Sequence, residues 1–335
     1  MKIINSLSDI NLRNEKFPIF FWDKWKTVEE KLHHKQWFLC ADDEGIVVAF
    51  TIYKMKFFKK ADYLYTPLDK NGERLAVEKE KTFLDEFHGF LKREKMADVI
   101  FPPSHIVVFN AIPAQSLWFK FGIMACDLTK DIDVLFKNTK PNTRNEIRKA
   151  ESYGVETKFV NEYNEDFYTI FQSTVNQKKF AAPSKEYFAE MSQILGNNIN
   201  VGVAYLNGII ESAEFSVIDN KNIYVQYAGT SFTPQYKGSN KYLIWNLFKY
   251  CKAKGIENLL YGGYRYGLQE SDSLYYVQKF KKHLGVGVTD GYHFIKIINP
   301  VKYAIVNAAL KCKSLLTDRD CSFVNLKGLE VKKSE

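Results

Sequence analysis

The chain has 335 residues, of which 46% are hydrophobic and 26% charged, which is typical of a globular protein large enough for two domains and excludes a disordered chain. The sequence has no apolar run of about 18 residues and no hydrophobic signal core near its start, so we expect no transmembrane segment and a cytoplasmic location. The net charge of +8 suits an anionic ligand such as a nucleotide, coenzyme A or RNA, but the basic residues form no long stripe of the kind that binds DNA.

The cysteines give no sign of a metal site or a disulfide framework. Their spacing includes neither a Cys-x-x-Cys pair nor a Cys/His ligand pattern, and the five are Cys40, Cys126, Cys251, Cys312 and Cys321. We therefore expect reduced thiols and no metal.

Alternating and helical patterns in the first third of the chain predict a meander, a helix, a strand and a second helix. The predicted strands are Trp37–Ala41, Ile46–Phe58, Tyr63–Thr66 and Val99–Phe101, and the predicted helices are Glu78–Lys95 and Ser116–Phe121.

A basic segment follows, at Asp131–Gly154. Thr143 and Glu146 have the spacing of a capping box, and Gly154 is placed to end the helix that it opens. Arg144 and Arg148 lie four residues apart and so share one helix face. Paired arginines suit a phosphate or carboxylate, although a solvated linker helix has the same pattern.

The second half repeats the order of the first. Its predicted strands are Ile199–Tyr205, Ile209–Ile218, Ile223–Ala228, Asn258–Tyr261 and Val286–Ile298, and its predicted helices are Lys241–Lys254 and Ser273–His283. Matching segments recur at a nearly constant offset, which predicts an internal duplication.

The loop before the helix Lys241–Lys254 has the composition of an anion-binding turn. Small or polar residues here would direct free backbone N–H groups and the positive end of the helix dipole outward, and the residues concerned are Gln235, Lys237, Gly238, Ser239 and Asn240.

This meander, loop and helix resembles the acyl-CoA-binding half of the GNAT acyltransferases, whose loop reads Gln-x-x-Gly-x-(Gly or Ala); Asn240 replaces the last small residue. The Thr143–Gly154 segment and the Lys279–Gly285 segment, added to the duplication, resemble the FemABX superfamily. The resemblance implies an α+β fold of two tandem GNAT-like domains with mixed sheets. It places the first domain at 1–135, a junction helix at 136–155, the second domain at 156–299 and a C-terminal helix and tail at 300–335.

FemABX proteins transfer amino acids from aminoacyl-tRNA onto peptidoglycan precursors, and related members use acyl-CoA. The resemblance therefore implies a transferase with no tightly bound cofactor, either of these donors, and an amine of a cell-envelope precursor or other small molecule as acceptor. The Gln-x-x-Gly loop favours acyl-CoA, and the junction segment favours aminoacyl-tRNA. The alternative is a degenerate, non-catalytic module that binds a glycan or a nucleotide.

Site residues carried over from the family lie in the second copy. Phe280 and Lys281 match the pair at the family's transfer site, where a lysine would stabilise the oxyanion. Tyr264 and Arg265 belong to a glycine-rich turn that would contact substrate. Independently of the resemblance, Glu214 lies in a strand and becomes a candidate base for the acceptor amine if burial raises its pKa.

The C-terminal region begins with an apolar stripe. It is formed at helical spacing by Val301, Ala304, Ile305, Ala308 and Ala309. We expect this stripe to dock on the protein core; the alternative is a membrane-surface role together with Lys302, Lys311 and Lys313.

Overall fold

A computed structural model describes residues 1–102, 106–178, 182–317 and 329–334; Cys321 lies outside them. Elements in the first part are β1 Lys2–Ile4, α1 Asp23–Lys31, β2 Gln36–Ala41, β3 Val47–Met55, β4 Phe58–Tyr63, α2 Val77–Arg93, β5 Val99–Phe101 and β6 Leu117–Asp127. Next come α3 Ile132–Asn138, α4 Pro141–Ser152, β7 Glu156–Val160, α5 Glu165–Lys178, α6 Lys185–Leu195, β8 Ile199–Leu206, β9 Ile209–Ile218 and β10 Asn222–Thr230. The last are α7 Ser239–Ala253, β11 Asn258–Arg265, α8 Ser273–His283, β12 Gly287–Ile297, α9 Pro300–Thr317 and β13 Lys332–Lys333.

The two halves of the chain share one pattern of strand pairing, which confirms the duplication. In the first copy β2, β3 and β4 form an antiparallel meander, and after α2 the strand β5 returns parallel to β4, with Lys60 opposite Val99. In the second copy β8, β9 and β10 form the meander, and after α7 the strand β11 returns parallel to β10, with Asn222 opposite Asn258. The architecture is therefore the predicted α+β fold with two GNAT-like copies.

The copies correspond to two compact units that interleave along the sequence. Unit 1 contains Met1–Gly122, Gly263–Leu268 and the described part of Asp290–Glu335, and unit 2 contains Ile123–Gly262 and Gln269–Thr289. The strands β6, β11 and β12 each begin in one unit and end in the other. The linear boundaries after residues 135, 155 and 299 stay predictions.

In unit 2 the strands follow the order β11-β10-β9-β8-β7, and each face of this sheet carries helices. Phe215 of β9 packs on one face against Phe167 of α5 and Phe188 of α6, with ring centroids 5.5 and 5.3 Å apart. Because successive side chains of a strand point to opposite faces, Glu214 lies on the other face, the one where Leu243 of α7 packs against Ala204. The helix α7 therefore covers the face that holds Glu214.

Two predictions for the first copy, one of a strand and one of a helix, are wrong. The predicted strand Ile46–Phe58 is interrupted after Met55, where Lys56 adopts a φ of 42° and β4 begins at Phe58. The predicted helix Ser116–Phe121 is also wrong, because the segment is strand β6 from Leu117 onward. Its buried Phe119 and Phe121 flank the exposed Lys120, which is the two-residue period of a strand.

The predicted capping box at Thr143 and Glu146 is wrong, because α4 already begins at Pro141. Proline fits the first turn of a helix, where its missing N–H would be unpaired in any case. The Glu146 carboxylate instead forms an ion pair with Lys241 at the start of α7. Gly154, at a φ of 77°, ends α4 as predicted.

The last helix, α9, is present, but it docks through a different face from the one predicted. Tyr303 and Val306, three residues apart on one side of the helix, pack on the cluster formed by Phe58, Val99, Phe101 and Ile295. Val301 is 70% exposed and Ile305 is 54% exposed, and Ala304, Ala308 and Ala309 are exposed as well. The predicted docking of the stripe on the core is therefore wrong, since Tyr303 and Val306 make the contact instead.

Candidate active site in the second copy

The strands β10 and β11 part soon after they pair. They form parallel pairs from Asn222 with Asn258 to Tyr224 with Leu260, and β10 shifts its register between Val225 and Tyr227. A bulge of this kind bends the strand that carries it. On the side that faces β10, the backbone groups of β11 beyond Leu260 therefore need other partners, such as a side chain.

Lys281 of α8 provides one such partner. Its Nζ donates a hydrogen bond to the backbone carbonyl of Tyr261, the residue that follows the last pair, and lies 4.6 Å from the centroid of the Tyr261 ring. Burial lowers the pKa of Lys281 to about 8. The preceding residue, Phe280, is half-buried, and the following lysine, Lys282, is exposed. Lys281 is thus a partly desolvated cation fixed where the pairing of β10 and β11 ends.

Glu214 is a buried carboxyl in the middle of the same sheet. It has no exposed surface, Asn200 donates a 2.9 Å hydrogen bond to its Oε1, and the Ser216 hydroxyl contacts its Oε2. Burial raises the pKa of Glu214 to about 8, against the smaller opposing effect of these hydrogen bonds. The group is therefore largely protonated at neutral pH, and no surface of it is open to an acceptor amine.

The predicted anion-binding loop already holds a carboxylate of the protein. Glu211, which is 1% exposed, accepts hydrogen bonds from the backbone N–H groups of Gln235 at 3.0 Å and Tyr236 at 3.1 Å. The hydroxyl of Ser239, in the first turn of α7, donates to the same carboxylate at 3.2 Å. Glu211 is the extra residue of a bulge in β9, between the pairs that Ile210 and Ser212 make with β8.

The ring of Tyr236 closes the loop from another side. A Cβ on Gly238 would lie only 2.3 Å from Cε1 of Tyr236, so the ring rests on the glycine backbone. The Tyr236 hydroxyl donates a 3.1 Å hydrogen bond to the carbonyl of Glu146, which fixes the ring in this position.

The other residues of the loop have different surroundings. The Gln235 side chain donates to the Leu206 carbonyl and accepts from Asn207, so it ties the loop to the turn between β8 and β9. Lys237 is exposed. The buried Oδ1 of Asn240 has no hydrogen-bond partner among the described residues.

The junction arginines make contacts within their own unit. Arg144 donates to the carbonyls of Lys137 and Thr139, at the end of α3. The exposed Arg148 places its guanidinium 5.2 Å from the ring centroid of Phe136. Arg144 therefore caps α3, and Arg148 keeps its outer face available to an anion.

Tyr264 and Arg265 lie at the end of β11, in the part of that strand that belongs to unit 1. The segment predicted as a glycine-rich turn is therefore strand. Tyr264 packs edge-on against Tyr266 at 4.9 Å, and Arg265 is half-buried. Gly263 is required here because a Cβ would lie 2.4 Å from the Phe121 ring.

Sequence reasoning missed Glu211, Tyr236 and the carbonyl of Tyr261. A signal for the first was present: Glu211, Ser212, Glu214 and Ser216 form an unusual concentration of polar residues in one strand, and all four are buried. Buried polar groups require partners, which draws attention to the loop that supplies them. Among the described residues, no group of three or more His, Cys, Asp or Glu side chains could hold a metal ion.

Comparisons with known proteins find similarity in sequence over one segment and in fold over most of the chain. Residues 123–209 match the FemAB family. The crystal structure of FemX has 12% identity and a TM-score of 0.67, covering 91% of this chain and 100% of FemX. L-PGS from Bacillus licheniformis has 14% identity and a TM-score of 0.52, covering 84% of this chain and 90% of L-PGS. No curated protein sequence matches the chain significantly.

A third similar structure is the C-terminal domain of a protein from Agrobacterium fabrum provisionally named lysylphosphatidylglycerol synthetase, with 13% identity and a TM-score of 0.52, covering 83% of this chain and 89% of that domain. At these identities the structures establish a shared fold. Residues 123–209 are therefore similar to the FemAB family, and the chain shares the fold of FemX.

Proposed function

We propose that unit 2 transfers an aminoacyl group from an aminoacyl-tRNA ester to an amine, with Lys281 stabilising the oxyanion. The observation that carries this proposal is the position of the Lys281 ammonium, held by the Tyr261 carbonyl where β10 and β11 part. A desolvated cation interacts more strongly with developing negative charge than a solvated lysine does.

The reaction needs no covalent enzyme intermediate. The acceptor amine attacks the ester carbonyl, a C–N bond forms, and the carbonyl oxygen becomes an oxyanion that Lys281 stabilises. The C–O bond to the ribose then breaks, and the proton lost by the amine passes, through solvent, to the departing hydroxyl. Holding the amine and the ester together supplies much of the rate enhancement.

The closed loop favours aminoacyl-tRNA over acyl-CoA as the donor. Coenzyme A would bring a diphosphate to a loop whose Gln235 and Tyr236 N–H groups are bound to Glu211. It would also meet the negative charge of that buried carboxylate at close range. Similarity to FemX and the FemAB family supports an amine of a cell-envelope precursor as the acceptor.

The test measures transfer from a mixture of radiolabelled aminoacyl-tRNAs to a peptidoglycan precursor peptide. We expect Lys281→Ala to lower kcat/KM by about 100-fold or more, the usual effect of removing one oxyanion donor. Lys282→Ala is the matched control, since this neighbour on α8 is exposed, and it should retain the wild-type rate. Full activity of Lys281→Ala in a folded protein would refute the role of Lys281.

The donor is tested separately by thermal shift with coenzyme A and acetyl-CoA. We expect no shift in the wild-type protein; binding at about a hundred times Kd would add roughly 2.7 kcal/mol and would be readily seen. A shift would indicate that the donor is acyl-CoA and not aminoacyl-tRNA, and the proposal of a transferase would stand. Binding of a glycan or nucleotide without transfer from any donor would instead favour the non-catalytic module.

A further inference from the structure

The helix α9 exposes an apolar stripe that the described residues of unit 1 leave uncovered. Val301 and Ile305 are 70% and 54% exposed, while Tyr303 and Val306 make the contacts that hold the helix in place. The exposed Ala304, Ala308, Ala309 and Cys312 continue the stripe along the helix. Exposed large apolar side chains that line up in this way mark an interaction surface more often than single ones do.

Lysines border the stripe on both sides. With about 100° of rotation per residue, Lys302 and Lys313 lie on one side of the Val301–Ile305 line and Lys311 lies on the other. The residues Pro300–Thr317 contain no aspartate or glutamate. Lys302 also contacts Asp98 at 3.1 Å, so it keeps its position beside the stripe.

This arrangement fits the surface of an anionic bilayer. Apolar side chains on such a helix enter the boundary between headgroups and acyl chains, and bordering lysines extend to the phosphates. Each lysine near an anionic membrane adds to the attraction. None of the described helices is both long and apolar enough to cross a membrane.

We infer that the exposed stripe of α9 is a docking surface for an anionic lipid bilayer, on which the helix lies flat. This inference is independent of the proposed transfer reaction, because it concerns only the outer face of one helix in unit 1. A second copy of the chain is the competing occupant, because an apolar stripe can also pair with itself.

The first test uses Cys312, which is exposed in the stripe, whereas Cys40, Cys126 and Cys251 are buried. A polarity-sensitive fluorophore is attached to Cys312 in the full chain carrying Cys321→Ser. We expect a blue shift and increased emission with vesicles of phosphatidylcholine and phosphatidylglycerol, a much weaker change with phosphatidylcholine alone, and reversal by salt. No change with either vesicle would overturn the inference.

Variants of the unlabelled chain identify the surface by vesicle flotation. Ile305→Glu should weaken binding at least about tenfold, and Lys311→Glu should weaken binding to anionic vesicles. Phe232→Glu is the matched control, because Phe232 is 70% exposed but lies in unit 2. Equal binding by Ile305→Glu and the wild type would refute α9 as the surface. A dimer in solution that Ile305→Glu dissociates would assign the stripe to a second copy.

Discussion

The ammonium of Lys281 donates a hydrogen bond to the backbone carbonyl of Tyr261, the residue that follows the last pair between β10 and β11. A side chain of α8 therefore takes a position that strand pairing leaves open. The same contact explains how a lysine in a run of basic residues can differ from its neighbours, since Lys279 and Lys282 are exposed to water.

The rate of transfer should fall as the pH rises above about 8. Burial lowers the pKa of Lys281 to about 8, so the lysine is charged below this pH and neutral above it. Only the charged form stabilises an oxyanion. The measurement is kcat/KM from about pH 6 to 10 for the wild type. A rate that increases through pH 8 in the wild type but not in Lys281→Ala would show that Lys281 acts as a base instead.

Lys281→Met should be more stable than the wild type at neutral pH while losing activity. The folded-state pKa of Lys281 is about 8 against an ordinary value of 10.5, so the folded protein binds fewer protons than the unfolded chain between these values. The cost of burying the charge is complete below pH 8 and disappears by about pH 10.5. Because the side chain is only partly buried, we expect a gain of about 1 to 3 kcal/mol at pH 7 by urea unfolding. A loss of stability at pH 7 would contradict this account.

Glu214→Gln should change how stability depends on pH. The pKa of Glu214 is raised from 4.5 to about 8, so the folded protein binds more protons than the unfolded chain between these values, and wild-type stability falls as the pH rises through them. Glutamine does not titrate. Between pH 4.5 and 8, the free energy of unfolding of the variant should therefore increase by about 2 to 4 kcal/mol relative to that of the wild type. The exposed Glu257→Gln serves as the control. Retained transfer by Glu214→Gln would exclude Glu214 as the base.

Glu211→Ala should create an anion site that the wild type lacks. Removing the carboxylate frees the N–H groups of Gln235 and Tyr236, while the hydroxyl of Ser239 keeps its 2.9 Å hydrogen bond to the Tyr236 carbonyl. The variant should lose about 1 to 3 kcal/mol of stability, because these donors become unpaired. Formate or inorganic diphosphate should then raise its Tm by several degrees and leave the Tm of the wild type unchanged. Equal responses of the two proteins would show that Glu211 does not occupy an anion site.

Gly238→Ala should destabilise the protein through Tyr236. The new Cβ would lie 2.3 Å from the tyrosine ring, which would have to leave its hydrogen bond with Glu146. We expect a loss of about 1 to 3 kcal/mol, and a smaller loss in a Tyr236→Ala background. Gly287→Ala is the control, because the nearest atom to its Cβ would be 3.6 Å away. Equal effects of Gly238→Ala in both backgrounds would contradict the contact.

Local pattern was sufficient for the elements that frame the site. The bounds predicted for α8 and β9 are those observed, since helical spacing and short turns determine them. Glu211 could not be assigned in the same way. The face to which the Glu211 side chain points depends on a bulge in the pairing of β8 and β9. Its hydrogen-bond partners lie in a loop that comes later in the chain.

The docked face of α9 shows a second limit of sequence reasoning. The stripe Val301–Ala309 has helical spacing, but Tyr303 and Val306 make the contact with the core. Periodicity in the sequence shows that a helix has an apolar side. Which side of the helix contacts the protein depends on the shape and size of the side chains on the neighbouring strands. Arg144 is a similar case, since carbonyls at the end of α3 are not visible as partners in the sequence.

The strand β12 follows the second copy in the sequence but pairs with a strand of the first copy. This strand begins in unit 2, yet its Lys296 and Ile297 pair with Ile100 and Val99 of β5 in unit 1. If the gene were divided between the two copies, the first product would lack β12. Its strand β5 would then have an unpaired edge, and such edges are prone to aggregation. The first copy therefore depends on a strand that follows the second copy in the sequence, and we expect it not to fold as a separate protein.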